Sequence, residues 1–250
     1  MSKAKQQFIF GIHSIIEAIR AGKSLQKVLI KKGFKNELQS ELFDYLKKNI
    51  VPYQFVPVEK LNNISRNNHQ GIIAITSDIE YRYAEMLIPA IYERGKAPFM
   101  IVLDRITDVR NFGAIARTAE GAGVDALIIP NKGAAQINAD AIKTSSGALH
   151  NLSVCRTPDL VKTISFLKNS GLQIVAVTEK AQDLYYNIDL TLPAALVVGA
   201  EDKGIEKNIL KIADQLVKIP MLGSISSLNV SVAASIMMYE VVRQREIQNP

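Results

Sequence analysis

Residues 219–234 read IPMLGSISSLNVSVAA, and this stretch decides the fold that we expect. It passes from the end of a short apolar strand through a small polar loop into an almost wholly apolar helix. A segment that only fills a core has no need of a Gly, four Ser and an Asn between hydrophobic runs. A loop of small residues lets a ligand approach backbone amides and hydroxyls closely. The stretch therefore predicts a binding site at the end of a strand.

The chain around this stretch alternates strand and helix from residue 98 onward. The strands are predicted from continuous apolar runs at 99–103, 126–129, 152–155, 173–177, 195–198 and 215–219, and helices between them include 160–167 and 206–213. Such runs are typical of a parallel sheet covered by helices on both faces. The expected fold class is α/β with a mostly parallel sheet. Ligands of such sheets bind at the carboxyl ends of strands, where three polar loops of this chain lie.

The first part of the chain has a different organisation. Residues 1–76 predict a small α/β domain, in which the apolar residues Ile12, Ile15, Ile16 and Ile19 have helical spacing. A second helix is expected at 37–48, and strands at 28–30, 53–58 and 71–76. Residues 77–97 lose the pattern and are interpreted as the connection to a main domain at 98–250.

Positive charge is concentrated in the first part of the chain. The net charge is +6; residues 1–100 contain 15 Lys and Arg against 9 Asp and Glu, whereas residues 101–250 contain 15 of each. A basic module beside a neutral one favours a partner rich in phosphate, and nucleic acid in particular. A basic surface that serves only solubility is the alternative.

Composition excludes several classes of protein. The single cysteine, Cys155, excludes an internal disulfide, fits a reducing compartment and is expected to be a small core residue. The first residues lack the apolar core of a signal peptide, and no run reaches the ~20 apolar residues of a membrane span. We therefore expect a cytoplasmic protein. The three histidines are isolated, so no metal site is expected.

The first polar loop lies in residues 103–124, LDRITDVRNFGAIARTAEGAGV. A strand gives way to a polar loop and then to a helix that Asn111 is placed to cap. Arg117 follows inside the helix among small neighbours, which leave room for a large group near its guanidinium. The alternative is an Arg that only forms an ion pair with Glu120 or Asp108.

The second polar loop lies in residues 196–205, LVVGAEDKGI. Gly199 ends a strand and Gly204 follows five residues later, at the mouth of the next helix. Glu201 stands between the glycines, and we expect it near the amino end of that helix, where a carboxylate is favoured. The alternative is a plain turn with Glu201 as a surface charge.

The third loop is the stretch quoted first, and its polar candidates are Ser227 and Asn229. Ser227 has the alternative role of a helix N-cap, and Asn229 that of a structural amide that holds the loop. No G-x-G-x-x-G loop follows a strand in this sequence. Its absence disfavours a nicotinamide-dependent oxidoreductase on a doubly wound sheet.

Taken together and in this order, the three loops resemble the motifs of the SpoU-type RNA 2'-O-ribose methyltransferases of the SPOUT superfamily. The patterns are Asn-x-Gly-Ala-x-x-Arg-Thr-Ala at 111–119, Gly-x-Glu-x-x-Gly at 199–204 and the Ser-rich loop before Asn229. Residues 10–13 and 69–72 resemble the small domain, related to ribosomal protein L30e, that binds substrate in the bacterial 23S rRNA guanosine 2'-O-methyltransferases.

The resemblance implies a role for each candidate residue. The residues implied in catalysis are Asn111, Arg117, Glu201, Ser227 and Asn229. Those implied to hold the cofactor, S-adenosyl-L-methionine, are Thr178, Gly199, Glu201, Gly204, Ile219, Met221 and Leu228. Arg117 is implied as a proton acceptor or as an anchor for the ribose phosphate. The resemblance also implies a C-terminal trefoil knot and a homodimer with its active site near the subunit boundary.

The implied reaction is methylation of RNA at a ribose 2'-hydroxyl, with a guanosine in the P loop of 23S rRNA as the expected target. A tRNA 2'-O-methyltransferase of the same family is the first alternative. A catalytically silent RNA-binding or ribosome-assembly protein on the same fold is the second.

Overall fold

The computed structural model describes residues 8–248, and these divide into two compact units. The first comprises the chain up to Glu80 together with Ile137–Ala139. The second comprises Tyr81–Gln136 and the chain from Asp140 onward.

The first unit is a four-stranded mixed sheet with three helices. In chain order its elements are β1 (Phe8–Phe10), α1 (Ile12–Arg20), β2 (Leu25–Lys31), α2 (Gln39–Lys48), β3 (Tyr53–Val56), α3 (Val58–Ile64) and β4 (Ile72–Thr76). The strand order is β1-β4-β2-β3, with β4 antiparallel to β1 and β2 and with β3 parallel to β2.

The core of this unit follows from the alternation of side chains along its strands. Val28 and Ile30 face a cluster with Ile12, Ile15 and Leu42, so that α1 and α2 cover one face. The opposite face is covered by α3, whose Leu61 packs on Leu29, Val56 and Ile73. The strand expected at 53–58 ends at Val56, because Pro57 has no N–H to donate to a ladder and precedes α3.

The second unit is a single eight-stranded sheet with helices around it. Its strands are β5 (Tyr81–Arg82), β6 (Phe99–Asp104), β7 (Ala126–Pro130), β8 (Ser153–Thr157), β9 (Gln173–Val177), β10 (Asp183–Leu184), β11 (Ala194–Gly199) and β12 (Gln215–Lys218). Its helices are α4 (Ala84–Glu93), α5 (Val109–Gly121), α6 (Ala139–Thr144), α7 (Leu160–Asn169), α8 (Lys207–Ile212) and α9 (Val230–Gln248).

The order of the large sheet is β10-β12-β9-β11-β6-β7-β8-β5, and every pairing in it is parallel. All six strands predicted from apolar runs are present, so the α/β class and the parallel sheet are confirmed. The stretch 77–97, interpreted as a connection, contains β5 and α4, which belong to the second unit. In α4, Ala84, Ile88 and Ile91 are buried against the sheet.

The last helix, α9, is almost wholly apolar in its first part, yet the single chain leaves one side of it exposed. Met237, Met238 and Val241 are fully buried, but Val232 and Tyr239 are 46% and 53% exposed. In a single chain α9 is therefore covered on one side only. Its packing is one-sided, because it lies against α5, where the Ser235 hydroxyl donates to Thr118 Oγ1 at 3.1 Å.

We predict that Cys155 is chemically inert in the folded protein. It lies in β8 with 2% of its surface exposed, and burial raises the pKa of its thiol to about 12. Because the thiolate is the reactive form, an aromatic disulfide reagent at pH 8 should not modify the native protein within hours, yet should modify one thiol after denaturation. Rapid colour development without denaturant would contradict the packing described for β8.

Candidate functional site

The predicted loops meet at one edge of the large sheet. Gly199 at the end of β11 lies beside Asp104 at the end of β6, and Val217 in β12 lies beside Val177 at the end of β9. Parallel strands carry their carboxyl ends to the same edge, so the segments that follow them are neighbours. The expectation that all three polar loops lie at strand ends is confirmed.

A cavity of about 300 Å³ opens at this edge. Its lining includes each of the seven residues that the family resemblance implied in cofactor binding, namely Thr178, Gly199, Glu201, Gly204, Ile219, Met221 and Leu228. Ser227 lines it as well. Asn111 and Arg117 are not in its lining, so the structure separates the residues around the cavity from those carried by α5.

Glu201 connects three separate segments beside the cavity. Its Oε1 accepts a hydrogen bond from Asn229 Nδ2 at 2.6 Å, from Val230 N at 3.2 Å and from Asn111 Nδ2 at 3.3 Å. Asn229 Nδ2 also donates to Asn111 Oδ1 at 3.1 Å. Three of the five predicted catalytic residues thus form one hydrogen-bonded cluster, the Glu201 cluster, which joins α5, the loop after β11 and the start of α9.

Two local expectations about helix ends, and the alternative role of Ser227 as an N-cap, are wrong. The N-cap of α5 is Asp108, whose Oδ1 accepts from Asn111 N at 2.8 Å, so Asn111 is the third residue of the helix. Asn229, rather than Ser227, precedes α9, and its Oδ1 accepts from Ser231 N at 2.9 Å. Glu201 is at the amino end of α9, not of α8, because it accepts from Val230 N.

The loop between Gly199 and Glu206 is fixed by a pair of residues that the sequence analysis did not identify. Asp104 is 1% exposed, and its Oδ2 accepts from Glu206 N at 2.7 Å. Arg105 donates to both carboxylate oxygens of Asp104 and, at 3.1 Å, to Gly204 O. The hydrogen bond to Asp104 raises the pKa of Arg105. The sequence did contain a signal that could have identified this pair, because Asp104 places a carboxylate at the end of an otherwise apolar strand.

Arg105 itself has a left-handed backbone with φ 60°. A non-glycine residue pays about 1–3 kcal/mol for such a conformation, which persists only where surrounding contacts hold it. The bidentate pair with Asp104 supplies these contacts. The pair and the strained backbone together determine where the loop after β11 lies over the cavity.

Arg117 stands apart from the Glu201 cluster. It is exposed on α5, and within residues 8–248 its guanidinium makes no hydrogen bond or ion pair. The alternative in which Arg117 pairs with Glu120 or Asp108 is therefore not observed. An exposed, unpaired guanidinium is available to bind an anion in a bidentate manner.

Comparison with known proteins identifies the family. The model described as "SpoU rRNA Methylase family" matches residues 98–239, and that described as "RNA 2'-O ribose methyltransferase substrate binding" matches residues 8–82. The chain belongs to the SpoU rRNA methylase family. The resemblance seen in the three loops is thereby confirmed.

Individual relatives are similar in sequence to most of this chain. YacO of Bacillus subtilis, whose name assigns it to the TrmH family of tRNA/rRNA methyltransferases, is 32% identical over 96% of this chain and 97% of its own. The structure of the A. aeolicus TrmH/SpoU tRNA modifying enzyme is 32% identical, with TM-score 0.56, over 66% of this chain and 85% of its own.

A third relative shares the fold. AviRb of Streptomyces viridochromogenes, described as a SpoU methyltransferase in complex with the cofactor AdoMet, has TM-score 0.62 and 23% identity. The match covers 98% of this chain and 92% of that one.

Two further observations bear on the class of site. Across residues 8–248, no cluster of three or more His, Cys, Asp or Glu side chains is arranged to hold a metal ion. Among the helices of the same residues, none has both the length and the apolarity to cross a membrane.

We predict that Gly199 tolerates no side chain. A Cβ at Gly199 would collide with the backbone of Gly204 and Ile205, which cannot move without displacing the loop. Gly199→Ala should lower affinity for S-adenosylmethionine at least about fivefold, as overpacking costs about 1–3 kcal/mol. Calorimetric titration checks this. Gly223→Ala, where a Cβ meets nothing within 4 Å, is the matched control. Equal affinities of the two variants would contradict the close approach of the Gly204 and Ile205 backbone to Gly199.

Proposed function

We propose that this protein transfers a methyl group from S-adenosylmethionine to a ribose 2'-hydroxyl of RNA. The observation that carries the proposal is the juxtaposition of the cavity with the Glu201 cluster at the carboxyl edge of the sheet. Membership of the SpoU family supports the reaction class. The description of AviRb as a complex with AdoMet supports the cofactor.

The residues around the cavity suit this cofactor. A volume of about 300 Å³ lies at the lower end of the range for small-molecule sites, about 300–1,000 Å³. Val177, Val198 and Ile219 offer apolar surface to an adenine ring, and Gly199 lets the loop that lines the cavity pack against the end of β11. Oε2 of Glu201 accepts no hydrogen bond from residues 8–248 and offers negative charge, which favours a cation. When bound, the sulfonium supplies a methyl group ready for transfer.

The task of the chain is then to position the hydroxyl and to assist loss of its proton. The oxygen must lie about 3–3.5 Å from the methyl carbon and in line with the bond that breaks. Amide groups of Asn111 and Asn229 orient the target nucleotide, since both are held by Glu201. Ser227, at the cavity wall, contributes a hydroxyl on the same side.

Arg117 is proposed to anchor a phosphate of the RNA. A guanidinium keeps its proton in proteins, so it is a poor general base. Its exposure and lack of a protein partner leave it free for the backbone of the substrate, and contacts of this kind fix register.

The proposed substrate is 23S rRNA, with a guanosine of the P loop as the target. The substrate-binding model matches residues 8–82, and the A. aeolicus tRNA modifying enzyme corresponds to only 66% of this chain. An additional RNA-binding domain suits a large structured RNA. A tRNA substrate is the second candidate, because the name of YacO includes both tRNA and rRNA.

We further propose that the protein is a homodimer, that its first unit is L30e-like, and that its C-terminal segment is threaded as a trefoil knot. The exposed Val232 and Tyr239 on α9 support a second subunit at this face. Support for the knot is the return of the chain from β12 to α9, which packs on α5 and β11 near the sheet centre.

Mass-spectrometric mapping of 2'-O-methyl nucleotides in 23S rRNA and tRNA tests the proposed function. RNA from cells with and without the gene is compared, and the gene is then restored. Loss of one methylguanosine in 23S rRNA, recovered with the wild-type gene, is expected. Loss in tRNA alone would select the second candidate, and no loss in either RNA would favour a silent RNA-binding protein.

We predict that Arg117→Gln lowers methyl transfer at least about 100-fold, because a positioning contact to phosphate is lost. Cofactor affinity should change less than twofold, since Arg117 does not line the cavity. Single-turnover transfer and calorimetry provide the two measurements. Glu120→Gln, also exposed on α5, is the matched control and should retain the wild-type rate. A near-normal rate for Arg117→Gln would remove Arg117 from the mechanism.

A further inference from the structure

The first unit contains a second cavity, which the proposed reaction does not use. It has a volume of about 670 Å³ and lies between the segment after β2 and the segment before β4. Its lining includes two lysines, several amides and one phenylalanine, but no carboxylate. A polar, positively charged cavity without an acidic residue is suited to a ligand that carries negative charge.

One amide in this cavity has its orientation fixed by a buried histidine. His69 is 8% exposed, and its Nδ1 accepts a hydrogen bond from Gly71 N at 3.0 Å. The proton of the neutral ring is therefore on Nε2, which donates to Asn62 Oδ1 at 2.8 Å. Asn62 Oδ1 is thus occupied, and Nδ2 donates to no group within residues 8–248. The cavity presents a pre-oriented amide donor.

Phe34 forms an aromatic wall of the same cavity. It is half-buried, and the backbone of Gly71, with φ +84°, approaches its ring so closely that a Cβ would lie 3.3 Å from Cδ2. Lys31 and Lys35 flank the ring along the chain and line the cavity as well. Neither lysine forms an ion pair within the described residues, so both ammonium groups are available to a phosphate.

We propose that this cavity binds one unpaired nucleotide of the RNA substrate, with its base against Phe34, a base acceptor on Asn62 Nδ2 and its phosphate at Lys31 and Lys35. The inference rests on the proposed function for the identity of the ligand as RNA. An aromatic face, an amide donor and cations are the three elements by which proteins hold single-stranded bases. A base inside a duplex has its faces and pairing edge covered, so unpaired RNA is the ligand.

The test uses the full chain and fluorescence anisotropy with a labelled ten-nucleotide single-stranded RNA of mixed sequence. Asn62→Asp keeps the oxygen that accepts from His69 but removes the donor, and should weaken binding about tenfold. Asn63→Asp makes the same charge change at the next, exposed residue of α3, which does not line the cavity, and should change binding less than twofold. Phe34→Leu should weaken binding at least about fivefold through lost stacking.

Competition and catalysis separate the possible outcomes. An unlabelled RNA duplex of equal length should compete poorly. Inorganic phosphate should displace the RNA no better than another salt does at the same ionic strength. Equal affinities of Asn62→Asp and Asn63→Asp, with both proteins folded by circular dichroism, would overturn the proposal. So would equal competition by duplex. If Asn62→Asp unfolds, the same comparison is made between Phe34→Leu and wild type, and unchanged binding overturns the proposal.

Methyl transfer distinguishes this proposal from the proposed function. For Asn62→Asp the KM for RNA should rise with the loss of affinity, while kcat and cofactor affinity stay within twofold of wild type. Absence of transfer by the wild-type protein on any RNA would refute the reaction but leave the anisotropy result standing. Normal transfer with no effect of Asn62→Asp on KM would refute nucleotide binding in the cavity but not the proposed reaction.

Discussion

A single carboxylate oxygen, Oε1 of Glu201, accepts hydrogen bonds from α5, from the residue before α9 and from the first amide of α9. A hydrogen bond to a charged group contributes about 1.5–3 kcal/mol, and α9 begins at the carboxylate, where its dipole favours negative charge. The three segments are more than 25 residues apart in sequence. No other polar group at this edge of the sheet ties so many of them together among the described residues.

The rest of the site depends on these hydrogen bonds of Glu201 and on the ion pair between Asp104 and Arg105. The pair of Asp104 and Arg105 fixes the loop after β11 from the side of β6, and Glu201 fixes it from the side of α9. Gly199 allows the loop to return against its own strand. The cavity is thus shaped by backbone held at both ends, while Glu201 orients the amides of Asn111 and Asn229.

Much of this was predictable from the sequence because long apolar runs and spaced glycines are local signals. The six strands and the three loops are of this kind. The strands β5 and β10 have two residues each, too few to form a pattern. The hydrogen bonds of Glu201 to Asn111 and Asn229 span 90 and 28 residues, so no local spacing reveals them. The error at Glu201 has this cause, whereas those at Asn111 and Ser227 are local shifts in where a helix begins.

Single-turnover methyl transfer by Glu201→Gln, at saturating S-adenosylmethionine and RNA, tests whether the Glu201 carboxylate organises the site. The substitution preserves size but removes the charge that three donors share. We expect the rate to fall at least about tenfold, in line with the loss of about 1.5 kcal/mol or more, while the protein remains folded. A wild-type rate for Glu201→Gln would show that the carboxylate does not organise the site and would contradict the account.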